Sequence, residues 1–175
     1  MREKQEKYEL IDLENSIFER EDFEHEIEIG HDNYYYVLRD GCPYLKVEVD
    51  LKKLFDDAVI YNNYLLIGTF DKVYFVNLAD LNVKQIDVDM YFGYFVITQE
   101  EVFVLDGTGI IAFDYNLKEI WRNHSLAVDG VTFQEMINDE IMIVSCEMDP
   151  PGGWIDRKIN RKTGNACSYM EVEKL

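Results

Sequence analysis

His25, His31 and His124 are the three histidines of the chain, and no two of them stand at an H-x-x-x-H or H-x-H spacing that would bring two imidazoles to one metal ion. Asp87-Val88-Asp89 could offer two oxygens to calcium, but its neighbourhood lacks the further ligands and the glycine of an oxygen-rich loop site. The paired carboxylates Asp56-Asp57 and Glu100-Glu101 sit beside turns, where solvation accounts for them better than general acid and base work. There is no G-x-S-x-G, and Ser125 beside His124 is a chance neighbour, because adjacent strand side chains point to opposite faces. Gly107-Thr108-Gly109 lacks the spacing and following helix of a dinucleotide site, and hairpin chemistry explains it. No catalytic residue, metal ligand or cofactor is therefore expected.

Recognition features fare better. Asp149-Pro150-Pro151-Gly152-Gly153-Trp154 joins a stiff diproline, two permissive glycines and a large aromatic, a composition that suits a loop held in shape for binding. Tyr34-Tyr35-Tyr36, Tyr91-Phe92 and Tyr94-Phe95 place rings consecutively, so at least one ring of each group should face away from a one-sided core. Surface tyrosines are common interface anchors. Tyr91, Phe92, Tyr94, Asp149 and Trp154 are accordingly the candidate partner-binding residues, set against burial of Trp154 as a strand residue and burial of the rings between stacked sheets.

The elements that must position these residues are strands. In Leu45-Lys46-Val47-Glu48-Val49-Asp50-Leu51 the apolar residues fall on one side and the charges on the other, as in an antiparallel strand with one wet face. Further apolar runs follow at 59–61, 64–67, 73–78, 84–88, 94–98, 102–105, 110–113, 141–146 and 154–159, joined by turn chemistry at Asn62-Asn63, Asp71-Lys72, Gln99-Glu100, Asp106-Gly107 and Lys162-Thr163-Gly164-Asn165. Asp106-Gly107 reads as a tight turn with Gly107 at positive φ, so that Gly107→Val would cost about 1 to 2 kcal/mol in backbone strain. Residues 1 to 24 are ambiguous: Leu10, Leu13 and Ile17 fit one helical face, whereas Phe23, Ile27 and Ile29 begin an alternation, which suggests a short N-terminal helix or arm and then sheet.

Asp80-Leu81-Asn82-Val83-Lys84-Gln85-Ile86 recurs as Asp114-Tyr115-Asn116-Leu117-Lys118-Glu119-Ile120, the pattern of a hairpin repeated once per sheet unit, with Asp80 and Asp114 in equivalent positions. The fold expected is all-β, of repeated antiparallel hairpins, arranged as an incomplete propeller-like stack or a two-sheet sandwich. Blade-like units fall at about 26–54, 57–88, 92–126 and 132–170 of a single mainly-β domain spanning 1–175.

Gly109-Ile110-Ile111-Ala112-Phe113-Asp114 through Trp121 resembles the tryptophan-bearing blade repeat of quinoprotein-type propellers, in which an apolar strand ends in Asp, turns, and continues to a Trp. Trp121, the Asp129-Gly130-Val131 step, Asp149-Pro150-Pro151-Gly152-Gly153-Trp154 and Asn160-Arg161-Lys162-Thr163-Gly164 together resemble a group of small bacterial proteins of unassigned activity, some suspected to be immunity proteins paired with secreted toxins. The second resemblance covers about the last 60 residues and implies a protein partner.

Composition bounds the rest. The 175 residues are 47% apolar and 14% aromatic, enough to bury a sizeable core. No apolar run approaches the ~18 residues of a membrane span and no signal-peptide core is visible, so a cytoplasmic location is expected. Cys42, Cys146 and Cys167 lack metal-ligand spacing and read as reduced thiols. The net charge of −18 is uneven: residues 71 to 150 carry 15 acids and 4 bases, whereas 151 to 175 carry 3 and 5. A field of that sign repels nucleic acids and anionic membranes and favours a basic protein partner. The expected function is a non-enzymatic protein-binding domain, in its narrowest form an immunity protein neutralising a basic toxin. The alternative is a small hydrolase or ligand-binding enzyme using clustered carboxylates at a sheet end, with calcium.

Overall fold

A computed structural model describes residues 6–50 and 55–167, so Leu51 of the clearest expected strand lies outside the described residues. All the regular structure described is β except for two single turns of 3-10 helix, Leu13–Asn15 and Arg20–Asp22. The chain gathers into two compact units that divide between Ile86 and Asp87.

The first unit holds two four-stranded sheets. The first contains β1 (Tyr8–Ile11), β2 (His25–Glu28), β3 (Asn33–Arg39) and β4 (Cys42–Val49) in the order β1-β3-β4-β2. β3 and β4 form a hairpin through Asp40-Gly41, both at positive φ, which matches the right-handed twist of the flanking strands. Leu45, Val47 and Val49 are fully buried, and Lys46 and Glu48 take the other face, as the alternation requires. β2 instead runs parallel to β4. Of the two expectations for the N-terminal segment, helix or arm, the helix is not formed among the described residues, which give strand β1 and the two 3-10 turns: Tyr8 is buried, its hydroxyl reaches Leu78 O (3.3 Å), and pairing with β3 outweighs a weak helical spacing. Phe23, Leu13 and Phe18 then cover Tyr36 and Leu38 on the outer face of the sheet.

The second sheet is a meander of β5 (Asp57–Tyr61), β6 (Tyr64–Gly68), β7 (Lys72–Asn77) and β8 (Val83–Asp87). Its β5–β6 hairpin turns at Asn62-Asn63 with Asn62 at positive φ. Leu65, Ile67, Val76 and Leu78 pack with Val37, Leu45, Val47 and Val49 of the first sheet, giving the unit one core.

The second unit repeats the plan. β9 (Phe92–Ile97), β10 (Glu101–Asp106), β11 (Ile110–Asp114) and β12 (Glu119–Asn123) form a four-stranded meander, and β13 (Val131–Met136), β14 (Ile141–Glu147) and β15 (Trp154–Asn160) a three-stranded one. Phe103, Leu105, Ile110 and Ala112 pack against Met142, Val144, Cys146 and Ile159. The edges are tied as well: Trp121 Nε1 donates to Arg161 O (2.6 Å), Asn123 Nδ2 to Gly164 O (2.8 Å), and the Arg161 guanidinium pairs with Glu101. Burial pushes the Cys146 thiol up to about 11, so it is an inert core group.

Two expectations are corrected here. Asp80 and Asp114 each accept from the backbone N–H two residues on, but Asp114 ends β11 whereas Asp80 lies three residues beyond β7. The two connections align better on Leu81 and Leu117, both at positive φ, and Ile86 is buried where Ile120 is exposed. Strand register is set by burial, which the identical residues of the turn do not carry. Gly107, moreover, is not at positive φ; it is small because a Cβ there would lie 2.8 Å from Met90 Cβ and 3.1 Å from the Tyr91 ring.

Candidate functional site

At one rim of the second unit four loops are stitched together by backbone hydrogen bonds. Gly107 N donates to Tyr91 O (2.9 Å), Gly130 N to Gly107 O (2.6 Å), Leu126 N to Thr108 O (3.1 Å), and Val128 N to Glu147 O (2.8 Å). Beneath them Asp106 is the organising residue. Its Oδ1 accepts from Thr108 N (3.0 Å) and Gly109 N (2.7 Å), and its Oδ2 from Asp89 N (3.0 Å). A strand-ending Asp whose carboxylate gathers the amides of the following turn is what the Asp-Gly chemistry provides locally; the bond to Asp89 joins that turn to the start of β9.

His124 stands beside this carboxylate, with Nε2 3.3 Å from Asp106 Oδ2 and Nδ1 3.8 Å from Asp89 Oδ2. Two hydroxyls lie close to this imidazole, Ser125 next in the chain and Thr108 on the shared Asp89 carboxylate, and both are engaged elsewhere. Thr108 Oγ1 donates to Asp89 (2.7 Å) and Ser125 Oγ to Asn123 (2.7 Å), which leaves neither hydroxyl aimed at His124. Through the three amides that Asp106 holds, the cluster clamps the rim.

Above it lie the aromatics. The Tyr91 hydroxyl donates to Asp129 (2.9 Å), and a Cβ on Gly130, which has φ of 129°, would lie 3.0 Å from the Trp154 ring and 3.5 Å from the Tyr91 hydroxyl. Glycine at 130 thus lets the edge of the indole and the phenol close over one backbone position. Trp154 remains 42% exposed, so its expected burial as a strand residue is only partial, and Met90 and Val128 are exposed nearby in the chain. Asp149 is exposed in the turn between β14 and β15, with Gly153 N donating to its carbonyl, and Glu147 is buried beneath, taking the Gly152 N–H.

Of the five expected binding residues, Tyr91, Asp149 and Trp154 therefore meet at this rim. Phe92 is corrected: it is fully buried and packs on Phe95, with ring centroids 4.9 Å apart, which leaves it no surface to offer a partner. Tyr94 is half-buried, its hydroxyl accepting from Phe133 N, and it ties β9 to β13 instead of facing outward. Asp129, Gly130, Glu147 and the Asp89–Asp106–His124 clamp were not singled out as site residues in the sequence; Asp129-Gly130 was visible as a turn step with nothing to say what it would approach.

The electrostatics follow. No Lys or Arg among the described residues pairs with Asp129, Glu147 or Asp149; the ion pairs of this unit are Arg122–Glu119, Arg161–Glu101 and Lys162–Glu140. Burial, then the bond to Asp129, then the charges of Asp129, Glu147 and Asp106 push the Tyr91 phenol up to about 12. In the first unit burial, with Asp56 and Asp57, pushes Tyr35 up to about 12. Because folding favours the neutral phenols, their contribution is complete below pH ~10 and is lost as pH rises toward 12. Denaturant unfolding at pH 9 and pH 11, followed together with tyrosinate absorbance, should show lower stability at pH 11; equal midpoints would contradict it.

A separate acidic group, Glu26, Glu28 and Glu48, lies on the first sheet with carboxylate oxygens within 4.8 Å of one another. Lys46 Nζ is 3.0 Å from Glu26, so a cation already sits in this group. Neither a scan against protein-family models nor a search of curated proteins finds a match for this chain. The class defined is that of an all-β protein built from four small, mostly antiparallel sheets.

Proposed function

We propose that this chain is a non-enzymatic protein-binding domain that recognises a basic protein through the rim formed by Tyr91, Asp149 and Trp154. One observation carries it: Tyr91 and Trp154 close over Gly130 at a surface whose carboxylates Asp129 and Asp149 have no Lys or Arg partner among the described residues. An exposed indole beside a half-buried phenol, with unneutralised acids around them, suits an interface with opposite charge on the other side. Toxin neutralisation is the narrower form, supported by the resemblance of the last 60 residues to suspected immunity proteins.

The test is to capture a partner with the native chain and measure association at two ionic strengths. The Debye length falls from about 10 Å at 0.1 M to about 3 Å at 1 M salt, so the on-rate should drop steeply. Trp154→Ala should raise the off-rate and cost about 2 kcal/mol or more of affinity. Salt-independent association with an unaltered off-rate would sink this function. Co-expression of the captured protein with and without this chain then reads neutralisation directly, as rescue of growth.

A further inference from the structure

We propose that the rim receives one cationic side chain of the partner, an arginine, which stacks on the exposed indole of Trp154 between Asp129 and Asp149. This rests on the function proposed above and names what that surface takes.

Trp154 is the exposed tryptophan of the chain, at 42%, whereas Trp121 is held in the core by its bond to Arg161 O. The edge of the Trp154 ring lies over Gly130, and Gly130 directly follows Asp129. On its other side Trp154 follows Gly153, where a Cβ would lie 2.6 Å from Asp149 Cβ. Asp129 thus adjoins the backbone position that the indole edge covers, and Asp149 packs against the glycine from which the indole's strand starts. Asp129 spends one oxygen on the Tyr91 hydroxyl, which fixes its position and leaves its second oxygen to accept from a ligand. Arg157 of β15 does not fill this place; its guanidinium reaches Met148 Sδ (3.4 Å).

A partner of that chemistry follows from the surface. A neutral apolar residue would bury the indole but leave Asp129 and Asp149 without counter-charges, a costly outcome when water is removed. A cation over the ring meets both demands, since the face of an indole attracts positive charge and carboxylates accept its N–H groups. Arginine fits better than lysine because its planar fork can stack on the ring and still donate, within its own plane, to acids on either side.

The experiment uses the full chain and three hexapeptides: hexa-arginine, hexa-lysine and hexa-citrulline, the last isosteric with arginine but uncharged. Binding is read by quenching of tryptophan fluorescence and by calorimetry at 0.1 M salt. Hexa-arginine should bind most tightly, hexa-lysine less so and hexa-citrulline not measurably. Trp154→Leu, which keeps apolar bulk, should weaken hexa-arginine about 3- to 30-fold, and Asp129→Asn and Asp149→Asn should each weaken it severalfold with melting temperatures unchanged. Equal binding of hexa-citrulline, assigning the surface to an uncharged peptide, would overturn the inference. So would hexa-arginine binding that ignores Trp154→Leu, which would make it diffuse charge attraction. Concentration-dependent dimerisation abolished by Trp154→Leu would assign the face to a second copy and overturn it too. If the peptides fail while a captured basic protein still depends on Trp154 and salt, the arginine is wrong and the proposed function stands. If that dependence is itself missing, the function falls.

Discussion

Asp106→Ala should destabilise the second unit by about 3 to 5 kcal/mol. The Asp106 side chain has no exposed surface, accepts three backbone N–H bonds, and stands 3.3 Å from His124 Nε2. Alanine removes every acceptor at once, and hydrogen bonds to a charged group contribute about 1.5 to 3 kcal/mol each, while amides left buried without partners add their own desolvation cost. Asp106→Asn keeps an oxygen for Thr108 and Gly109 but puts an amide group or no charge toward Asp89 N and His124, so it should cost less, about 1 to 2 kcal/mol. Both tryptophans, Trp121 and Trp154, belong to this unit, so denaturant unfolding followed by their fluorescence reads it selectively. Equal midpoints for Asp106→Ala and the native chain would show that the clamp does not hold the rim.

Gly109→Ala should cost about 3 kcal/mol or more, although the substitution adds a single methyl group. A Cβ at 109 would lie 1.8 Å from the carbonyl oxygen of Asn123 and 2.7 Å from His124 Cα. These are backbone atoms of the neighbouring strand end, so no side-chain rotation relieves the overlap, and β11 and β12 must part. Gly152 provides the comparison: it has φ of 96° but nothing within 4 Å, so Gly152→Ala meets only the left-handed backbone penalty, about 1 kcal/mol. Chemical denaturation of both variants should rank Gly109→Ala well below Gly152→Ala. The reverse order would mean that backbone conformation, and not interstrand approach, limits this unit.

Much of the fold was legible because it is written locally. The alternation Leu45-Lys46-Val47-Glu48-Val49 specifies which face is buried whatever the strand pairs with, Asn62-Asn63 marks its turn through an asparagine that tolerates positive φ, and Asp106 marks its own through a carboxylate that gathers the next amides. The expected strand cores at 59–61, 64–67, 102–105 and 110–113 lie within β5, β6, β10 and β11 for the same reason.

What the tertiary structure decided are the relations between distant segments. Tyr8–Ile11 is a strand because β3 offers it an edge, and β2 is parallel because it reaches β4 rather than its own neighbour in sequence. Of the adjacent rings Tyr91 and Phe92 one turns inward and one stays at the rim, as the alternation requires, but which of them is buried was settled by folding, which seats Phe92 on Phe95. Gly107 is small because Met90 and Tyr91 cross it, and Gly130 because Trp154 does; no local pattern encodes a crossing made 16 or more residues away. The sequence by itself determined strands, turns and the acidic balance, and of the five residues it offered for binding three lie at the rim. Their meeting at one rim was decided by folding, because side chains separated by dozens of residues become neighbours only when the pairing of β9 to β12 and of β13 to β15 brings their strand ends together.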